Sequence, residues 1–184
     1  SVSEFSTLQK KNVLLEGISD YYYFLAMRKI LNRGTDYYFI PGIGVRQINN
    51  LISLCIGYGL EWVAVIDGDP TAGGKDSKKK FDEIKDYVFD GSESKTKEKV
   101  FVLKNTTGIE NMFTTDDLKL VDPKVGKNTD KSKAVGDKRK VLFGRLFFEK
   151  VECGEITIDK ISQTAKDNFT KAFDFIDSVF PTKS

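Results

Sequence analysis

The sequence predicts an α/β domain in which a mostly parallel four-stranded sheet is flanked by helices and followed by a C-terminal helical extension. Short apolar runs alternate with segments whose apolar residues recur at helical spacing, which is typical of βαβ units with right-handed crossovers. The run at residues 62–66 is apolar throughout, as expected for a parallel strand that is buried on both faces.

Each element is predicted from its local pattern. Strands are expected where the apolar runs fall, at residues 13–15, 37–40, 62–66 and 100–103. Helices are expected between them, at residues 21–31, 45–55 and 78–88, with a charged loop at residues 91–99. After the sheet, helical spacing returns at residues 138–148 and again at residues 161–180, where it predicts an amphipathic helix.

These patterns divide the chain into three parts. Residues 1–118 are the predicted α/β core, residues 119–137 a basic loop or insertion, and residues 138–184 a helical extension packed on the core. Between residues 124 and 140 there are six Lys and one Arg against two Asp, a local excess of positive charge. Such a segment could follow a nucleic acid backbone, or it could be a solvated lysine-rich loop.

The composition excludes several classes of function. The chain contains no histidine, which rules out histidine-based catalytic triads and HExxH metalloproteases. The two cysteines, Cys55 and Cys153, lie in unlike contexts and predict neither a disulfide framework nor a zinc site. No run approaches 18 apolar residues and no signal peptide is evident, so we expect a cytoplasmic protein without a membrane partner.

Acidic residues follow the predicted strands. Glu16 comes directly after the first strand, Asp67 and Asp69 come after the third, and Glu110 follows the fourth. The carboxyl ends of parallel strands share one edge of the sheet, where open α/β folds bind their ligands. Asp20 lies four residues after Glu16, which keeps it on the same side of a helix. The sequence therefore predicts a cluster of carboxylates at this edge.

Such a cluster requires a counter-charge. Two like charges about 4 Å apart repel by about 4 kcal/mol at an effective dielectric constant near 20. A divalent cation removes this repulsion, and oxygen ligands without histidine or thiolate favour Mg²⁺ or Mn²⁺. Taken singly, each element has a simpler interpretation, because the residues from Asp67 to Pro70 are typical turn formers and a glutamate after a strand is usually solvated.

Three segments together resemble a known family. Residues 13–20 (VLLEGISD), 41–44 (PGIG) and 63–69 (VAVIDGD) resemble the motifs of the Toprim domain. This domain is the metal-binding catalytic core shared by topoisomerases, bacterial primases, small maturation ribonucleases and the overcoming-lysogenization-defect (OLD) nucleases. The resemblance covers about the first 75 residues and implies the Toprim-like arrangement of a mostly parallel sheet.

Further features resemble the OLD branch. Asp20 matches the second acid of its Glu-Gly-x-x-Asp motif, and residues 108–113 (GIENMF) resemble the later motif that supplies the metal-binding Glu110. Lys138, which leads a predicted helix, resembles the essential lysine of this branch, and Lys140 is close enough to compete for that assignment.

The resemblance implies a metal-dependent endonuclease that hydrolyses DNA with two Mg²⁺ or Mn²⁺ ions. Glu16, Asp67 and Asp69 would hold one ion, while Asp20 and Glu110 would hold or orient the second. Glu16 could instead be a general acid or base, the role assigned to Toprim glutamates in topoisomerases.

Lysine and arginine side chains would serve the substrate. Lys138 would stabilise the transition state, and Lys138, Lys140 and Arg46 are the predicted nucleic-acid contacts. DNA is the expected substrate and RNA is not excluded. The OLD resemblance also implies an associated ATPase domain or subunit and a role in phage defence.

Two other functions are compatible with the sequence. The run from Asp67 to Thr71 fits the Asp-x-Asp-x-Thr motif of haloacid-dehalogenase-like phosphatases, with Asp67 as phosphoryl acceptor. That motif normally lies on the first strand, however, and it leaves Glu16, Asp20 and Glu110 without a role. The second alternative is a non-catalytic Toprim module that binds nucleic acid or protein.

Overall fold

The fold is described by a computed structural model that covers residues 8–34, 36–42, 45–68, 75–103 and 107–180, without the side chains of residues 45, 46 and 75–77. The predicted ligand Asp69 therefore lies outside the described residues, as does the side chain of the predicted nucleic-acid contact Arg46.

The predicted sheet is confirmed. It has four parallel strands in the order β2-β1-β3-β4. The strands are β1 (Lys11–Leu15), β2 (Tyr38–Pro41), β3 (Glu61–Asp67) and β4 (Val100–Leu103). In the register of the central strands Leu15 pairs with Val65, and Asp67 pairs with Leu103. The carboxyl ends of β1, β3 and β4 thus lie side by side at one edge of the sheet.

Helices connect the strands and continue after them. They are α1 (Ile18–Ile30), α2 (Val45–Gly57), α3 (Lys75–Phe89), α4 (Glu93–Lys97), α5 (Thr115–Lys119), α6 (Lys131–Val135), α7 (Lys140–Glu152) and α8 (Gln163–Val179). Two short 3₁₀ helices span Ile109–Met112 and Asp137–Arg139. No helix in these ranges is long and apolar enough to cross a membrane.

The region predicted as a charged loop, residues 91–99, contains the helix α4, so this prediction is wrong. The charges that suggested a loop in fact support one helical turn. Glu93 lies in the first turn and pairs with Lys97 four residues later, with 2.5 Å between Nζ and Oε1. Thr96 is buried and donates a hydrogen bond from its hydroxyl to the carbonyl oxygen of Ser92 at 2.7 Å.

Two hydrophobic clusters cover the two faces of the sheet. Successive residues of a strand point to opposite faces. Leu15 and Val65 belong to a cluster that contains buried residues of α1, α7 and α8. Leu14 and Ala64 belong to a second cluster that contains buried residues of α2 and α3. The C-terminal helices therefore share the core of the sheet.

Helix α7 packs closely against α1 near the carboxyl edge of the sheet. Gly144 of α7 lies so close to α1 that a Cβ atom would sit 3.2 Å from the carbonyl oxygen of Ser19. This approach brings the beginning of α7, with Lys140, near the beginning of α1, with Asp20. The basic segment 119–137 is also anchored, since it contains α6 and buries the side chains of Val125 and Val135.

Candidate metal and phosphate site

Four of the predicted acidic residues and one predicted lysine line a single cavity of about 210 Å³ at the carboxyl edge of the sheet. The lining residues are Glu16, Gly17, Ser19, Asp20, Asp67, Thr107, Gly108, Ile109, Glu110 and Lys140. The acids come from three places in the chain: the β1–α1 junction, the end of β3 and the 3₁₀ helix after β4. The parallel register of the strands brings these places together.

The β1–α1 junction fixes Glu16 and Asp20 by hydrogen bonds to the backbone. The backbone N–H of Asp67 donates to Oε2 of Glu16 at 3.0 Å, which links the ends of β1 and β3. Asp20 lies in the first turn of α1, where Gly17 N–H donates to Oδ2 at 3.0 Å and the Ser19 hydroxyl donates to Oδ1 at 3.3 Å. A carboxylate at this position is stabilised by the helix dipole.

Asp67 ends β3 and is followed by a glycine that the neighbouring strand requires. A Cβ atom on Gly68 would collide with the carbonyl oxygen of Leu103 in β4. Only glycine allows the backbone after β3 to lie this close to the end of β4, at the edge where Asp67 faces the cavity.

A buried hydrogen-bond network holds Glu110. The Ser132 hydroxyl donates to Oε2 of Glu110 at 2.7 Å, and Glu110 is buried with only 1% of its surface exposed. Asp130 accepts hydrogen bonds through Oδ1 from the Thr107 hydroxyl at 2.8 Å and from the Asn111 amide at 3.1 Å. The 3₁₀ helix that carries Glu110 is thereby fixed to the beginning of α6.

Two carboxylate oxygens in the cavity are buried without a hydrogen bond. Oδ1 of Asp67 and Oε1 of Glu110 have no partner among the described residues. Buried polar atoms are almost always paired, and an unpaired carboxylate oxygen carries a large desolvation cost. Oxygens of this kind fit a hard divalent cation. In the described part of the chain, which lacks Asp69, no three acids surround one point closely enough to hold an ion.

Two lysines approach the carboxylates from different elements. Lys140, at the beginning of α7, lines the cavity and pairs with Oδ1 of Asp137 at 2.9 Å. Lys80, on α3, lies with its Nζ atom 2.6 Å from Oε1 of Glu16. Lys138 is exposed in the 3₁₀ helix Asp137–Arg139 and is not among the lining residues. The structure thus brings Lys140 to the cavity, whereas Lys138 faces solvent.

Comparison with known proteins identifies the fold. No protein-family profile and no curated protein matches the sequence. The C-terminal region of the OLD protein of Xanthomonas campestris pv. campestris is similar in structure with a TM-score of 0.61 at 13% identity, and the match covers 94% of this chain and 97% of that one. The corresponding region of the Burkholderia pseudomallei OLD protein has a TM-score of 0.59 at 15% identity, with 94% and 99% covered.

The chain has the fold of the C-terminal region of OLD proteins. The OLD resemblance predicted from the motifs is confirmed as a likeness of fold over nearly the whole chain. At these identities the likeness concerns the fold alone, so the chemistry of the site must be argued from its own residues.

Within this OLD-like fold, burial and the neighbouring carboxylates raise the pKa of two acids of the cavity, Asp20 and Asp67. Burial, followed by the charges of Glu110 and Glu16, raises the pKa of Asp20 from 3.8 to about 7. Burial, followed by the charges of Asp20 and Glu16, raises the pKa of Asp67 well above its usual value, although Lys80 opposes the rise. The metal-free cavity therefore favours protons on carboxylates that are charged in water at neutral pH.

Neighbouring acids also raise the pKa of Lys140, the lysine that lines the cavity. Burial alone lowers the pKa of Lys140, but its hydrogen bond to Asp137 and the charge of Glu110 outweigh burial and raise the pKa. Lys140 is therefore a permanent positive charge at the rim of the acidic cavity.

Sequence reasoning missed Lys80 and Ser132. Lys80 belongs to a run of three lysines on a polar helix, and Ser132 belongs to the segment predicted as a basic loop. Neither has a local signal, because the acids that they contact are 64 and 22 residues away in the sequence.

Proposed function

We propose that this chain is a metal-dependent nuclease domain that hydrolyses phosphodiester bonds in DNA. The proposal is carried by two buried oxygens in one acidic cavity, Asp67 Oδ1 and Glu110 Oε1, which have no hydrogen-bond partner in the described part of the chain. A structural carboxylate cluster would be expected to satisfy these oxygens with protein donors. Leaving them free has a cost that a bound cation offsets.

The donor set fits Mg²⁺ or Mn²⁺. All of the acidic ligands offered by the cavity are carboxylate oxygens, which suit these hard ions. Glu16, Asp20, Asp67 and Glu110 would hold the ions, and Asp69 would complete the set by its resemblance to the Toprim motif. When bound, such ions lower the pKa of a coordinated water and neutralise charge on the phosphate.

The residues of the chain itself orient the site and bind the substrate. The backbone N–H of Asp67 fixes the Glu16 carboxylate, and Ser132 fixes the Glu110 carboxylate, so that both keep their positions between turnovers. Lys140, rather than Lys138, stabilises the negative charge that develops on the phosphate, because it lies at the cavity. The neighbouring basic residues of segment 124–140 contact the DNA backbone.

The phosphatase alternative is less well supported. In a haloacid-dehalogenase-like enzyme Asp67 would act as a nucleophile, and three further carboxylates in the same cavity would raise the repulsion without taking part in the reaction. Association with an ATPase and a role in phage defence remain proposals that rest on the OLD resemblance.

The proposal is tested by nicking of supercoiled plasmid DNA. We expect the purified protein to convert the plasmid with Mg²⁺ or Mn²⁺ and to lose this activity in EDTA. Lys140→Met should lower the rate by at least about 100-fold, because it removes a positive charge next to the reacting phosphate. Lys138→Met, the matched loss of one nearby lysine, should stay within about threefold of wild type, since Lys138 is exposed.

The two lysine variants show which lysine is catalytic, whereas the wild-type protein shows whether the proposed function is correct. A large loss in Lys138→Met with full activity in Lys140→Met would transfer the catalytic role to Lys138. Cleavage that persists in EDTA, or a wild-type protein that does not nick DNA with either ion, would contradict the proposed function.

A further inference from the structure

An ion pair joins Lys80, on helix α3, to Glu16 of the acidic cavity. Lys80 projects from α3, which packs against the face opposite to α1. Its Nζ atom lies 2.6 Å from Oε1 of Glu16, and the two side chains are 24% and 16% exposed. The other oxygen of Glu16, Oε2, accepts the N–H of Asp67. Both oxygens of Glu16 are therefore satisfied without an ion.

The other acids of the cavity differ from Glu16. Asp67 and Glu110 each keep one buried oxygen without a partner among the described residues. Among these three acids, only the Glu16 carboxylate is in direct contact with a cationic side chain from the residues that the structure describes. Lys80 thus holds the oxygen of Glu16 that a divalent ion would need, because its Nζ atom lies in hydrogen-bond contact with Oε1.

We propose that Lys80 is an internal counter-ion, which competes with a divalent metal ion for Glu16 and must release this carboxylate before the ion can bind it. The inference rests on the proposed function, because it assumes that Glu16 is a metal ligand. It goes further in naming a residue that sets the metal affinity of the site.

Elementary electrostatics requires the competition. An ammonium group and a divalent ion on the same carboxylate oxygen would lie about 4 Å apart and repel each other strongly. Lys80 can leave, because its side chain is a flexible stem with a single charged end and is partly exposed at 24%. Glu16 stays in place when Lys80 leaves, because the N–H of Asp67 still holds Oε2.

The competition is tested by calorimetric titration of the metal-free protein with Mn²⁺. Partly exposed ion pairs contribute modestly, so Lys80→Met should bind Mn²⁺ about fivefold more tightly than wild type, equivalent to about 1 kcal/mol. The matched control is Lys79→Met, which removes one exposed lysine from the same helix and should leave the affinity unchanged. In a Glu16→Gln background the Lys80→Met change should no longer tighten binding, because the contested charge is gone.

A second measurement does not depend on metal. Without ions, Lys80→Met should lower the unfolding temperature relative to Lys79→Met, since Glu16 then loses its counter-charge among other acids. An unchanged unfolding temperature would show that the ion pair does not contribute, and would contradict the proposal.

The outcomes distinguish this inference from the proposed function. If wild type binds Mn²⁺ and Lys80→Met binds it equally or more weakly, Lys80 is not a competitor, while the metal site itself stands. If neither wild type nor Lys80→Met binds Mn²⁺, the proposed metal-dependent function is contradicted, and the role of Lys80 is contradicted with it.

Discussion

Replacing Glu110 with Gln is expected to lower metal-dependent DNA cleavage by at least about 100-fold without disturbing the fold. Gln has nearly the same shape as Glu, and its amide oxygen can still accept the hydrogen bond from Ser132. The substitution therefore removes mainly the negative charge that faces the cavity. Asp67→Asn should have an effect of the same size, because it removes the negative charge of the other acid with a buried oxygen that lacks a partner among the described residues.

The measurement is the initial rate of plasmid nicking in Mg²⁺, together with the unfolding temperature of each variant without metal. We expect both variants to unfold at or above the wild-type temperature, since each removes one member of a mutually repelling cluster. Asp116→Asn is the matched control, because Asp116 is a carboxylate whose side chain is 92% exposed. Rates within about tenfold of wild type for Glu110→Gln would show that this cavity is not the catalytic site.

The stability of the metal-free protein should fall as the pH rises from about 4 to about 7. Burial and the neighbouring acids raise the pKa of Asp20 from 3.8 to about 7, so between these values the folded state binds a proton that the unfolded state has released. The free energy of unfolding therefore decreases across this interval. Because one pKa unit corresponds to about 1.4 kcal/mol, we expect a decrease of several kcal/mol across this interval. Asp67 acts in the same direction.

This pH interval lies above the one in which ordinary acid denaturation occurs. Carboxylates with a lowered pKa, such as Asp122 and Asp137, stabilise the fold above pH 3.8 and lose this contribution only below it. Between pH 4 and pH 7 the buried acids thus determine how the free energy of unfolding changes with pH.

Denaturant unfolding at several pH values measures the slope directly. Asp20→Asn should flatten the dependence and make the metal-free protein more stable than wild type at pH 8. Saturating Mn²⁺ should reverse the wild-type slope, because the ions bind the deprotonated carboxylates and add stability by mass action. Metal-free wild type that gains stability from pH 4 to pH 7, in parallel with Asp20→Asn, would contradict the raised pKa.

The position of the acidic cluster could be predicted from the sequence because local rules determine it. Glu16 and Asp67 end buried apolar strands, and parallel strands place such residues at one edge. In the structure Leu15 pairs with Val65, which places the residues after β1 and at the end of β3 at the same edge. Asp20 could also be predicted, since it lies four residues after Glu16, in the first turn of the helix that follows β1.

The lysines that contact the acids could not be predicted from the sequence in the same way. Residues 138–140 are Lys-Arg-Lys, and any of the three could begin a helix. Because α7 begins at Lys140 after a 3₁₀ turn, Lys140 lines the cavity while Lys138 is exposed. Lys80 and Ser132 reach the acids only through the packing of α3 and α6 around the sheet. Contacts between residues that are so far apart in the sequence produce no periodic pattern from which they could be predicted.

Anomalous diffraction from a crystal soaked in Mn²⁺ shows whether the acidic cavity binds a divalent ion. We expect an anomalous peak in the cavity, about 2.1 Å from Oδ1 of Asp67 or Oε1 of Glu110, with Nζ of Lys80 no longer in contact with Glu16. A fully soaked crystal with no peak in the cavity, and with both oxygens still buried and unpaired, would contradict the proposed metal site.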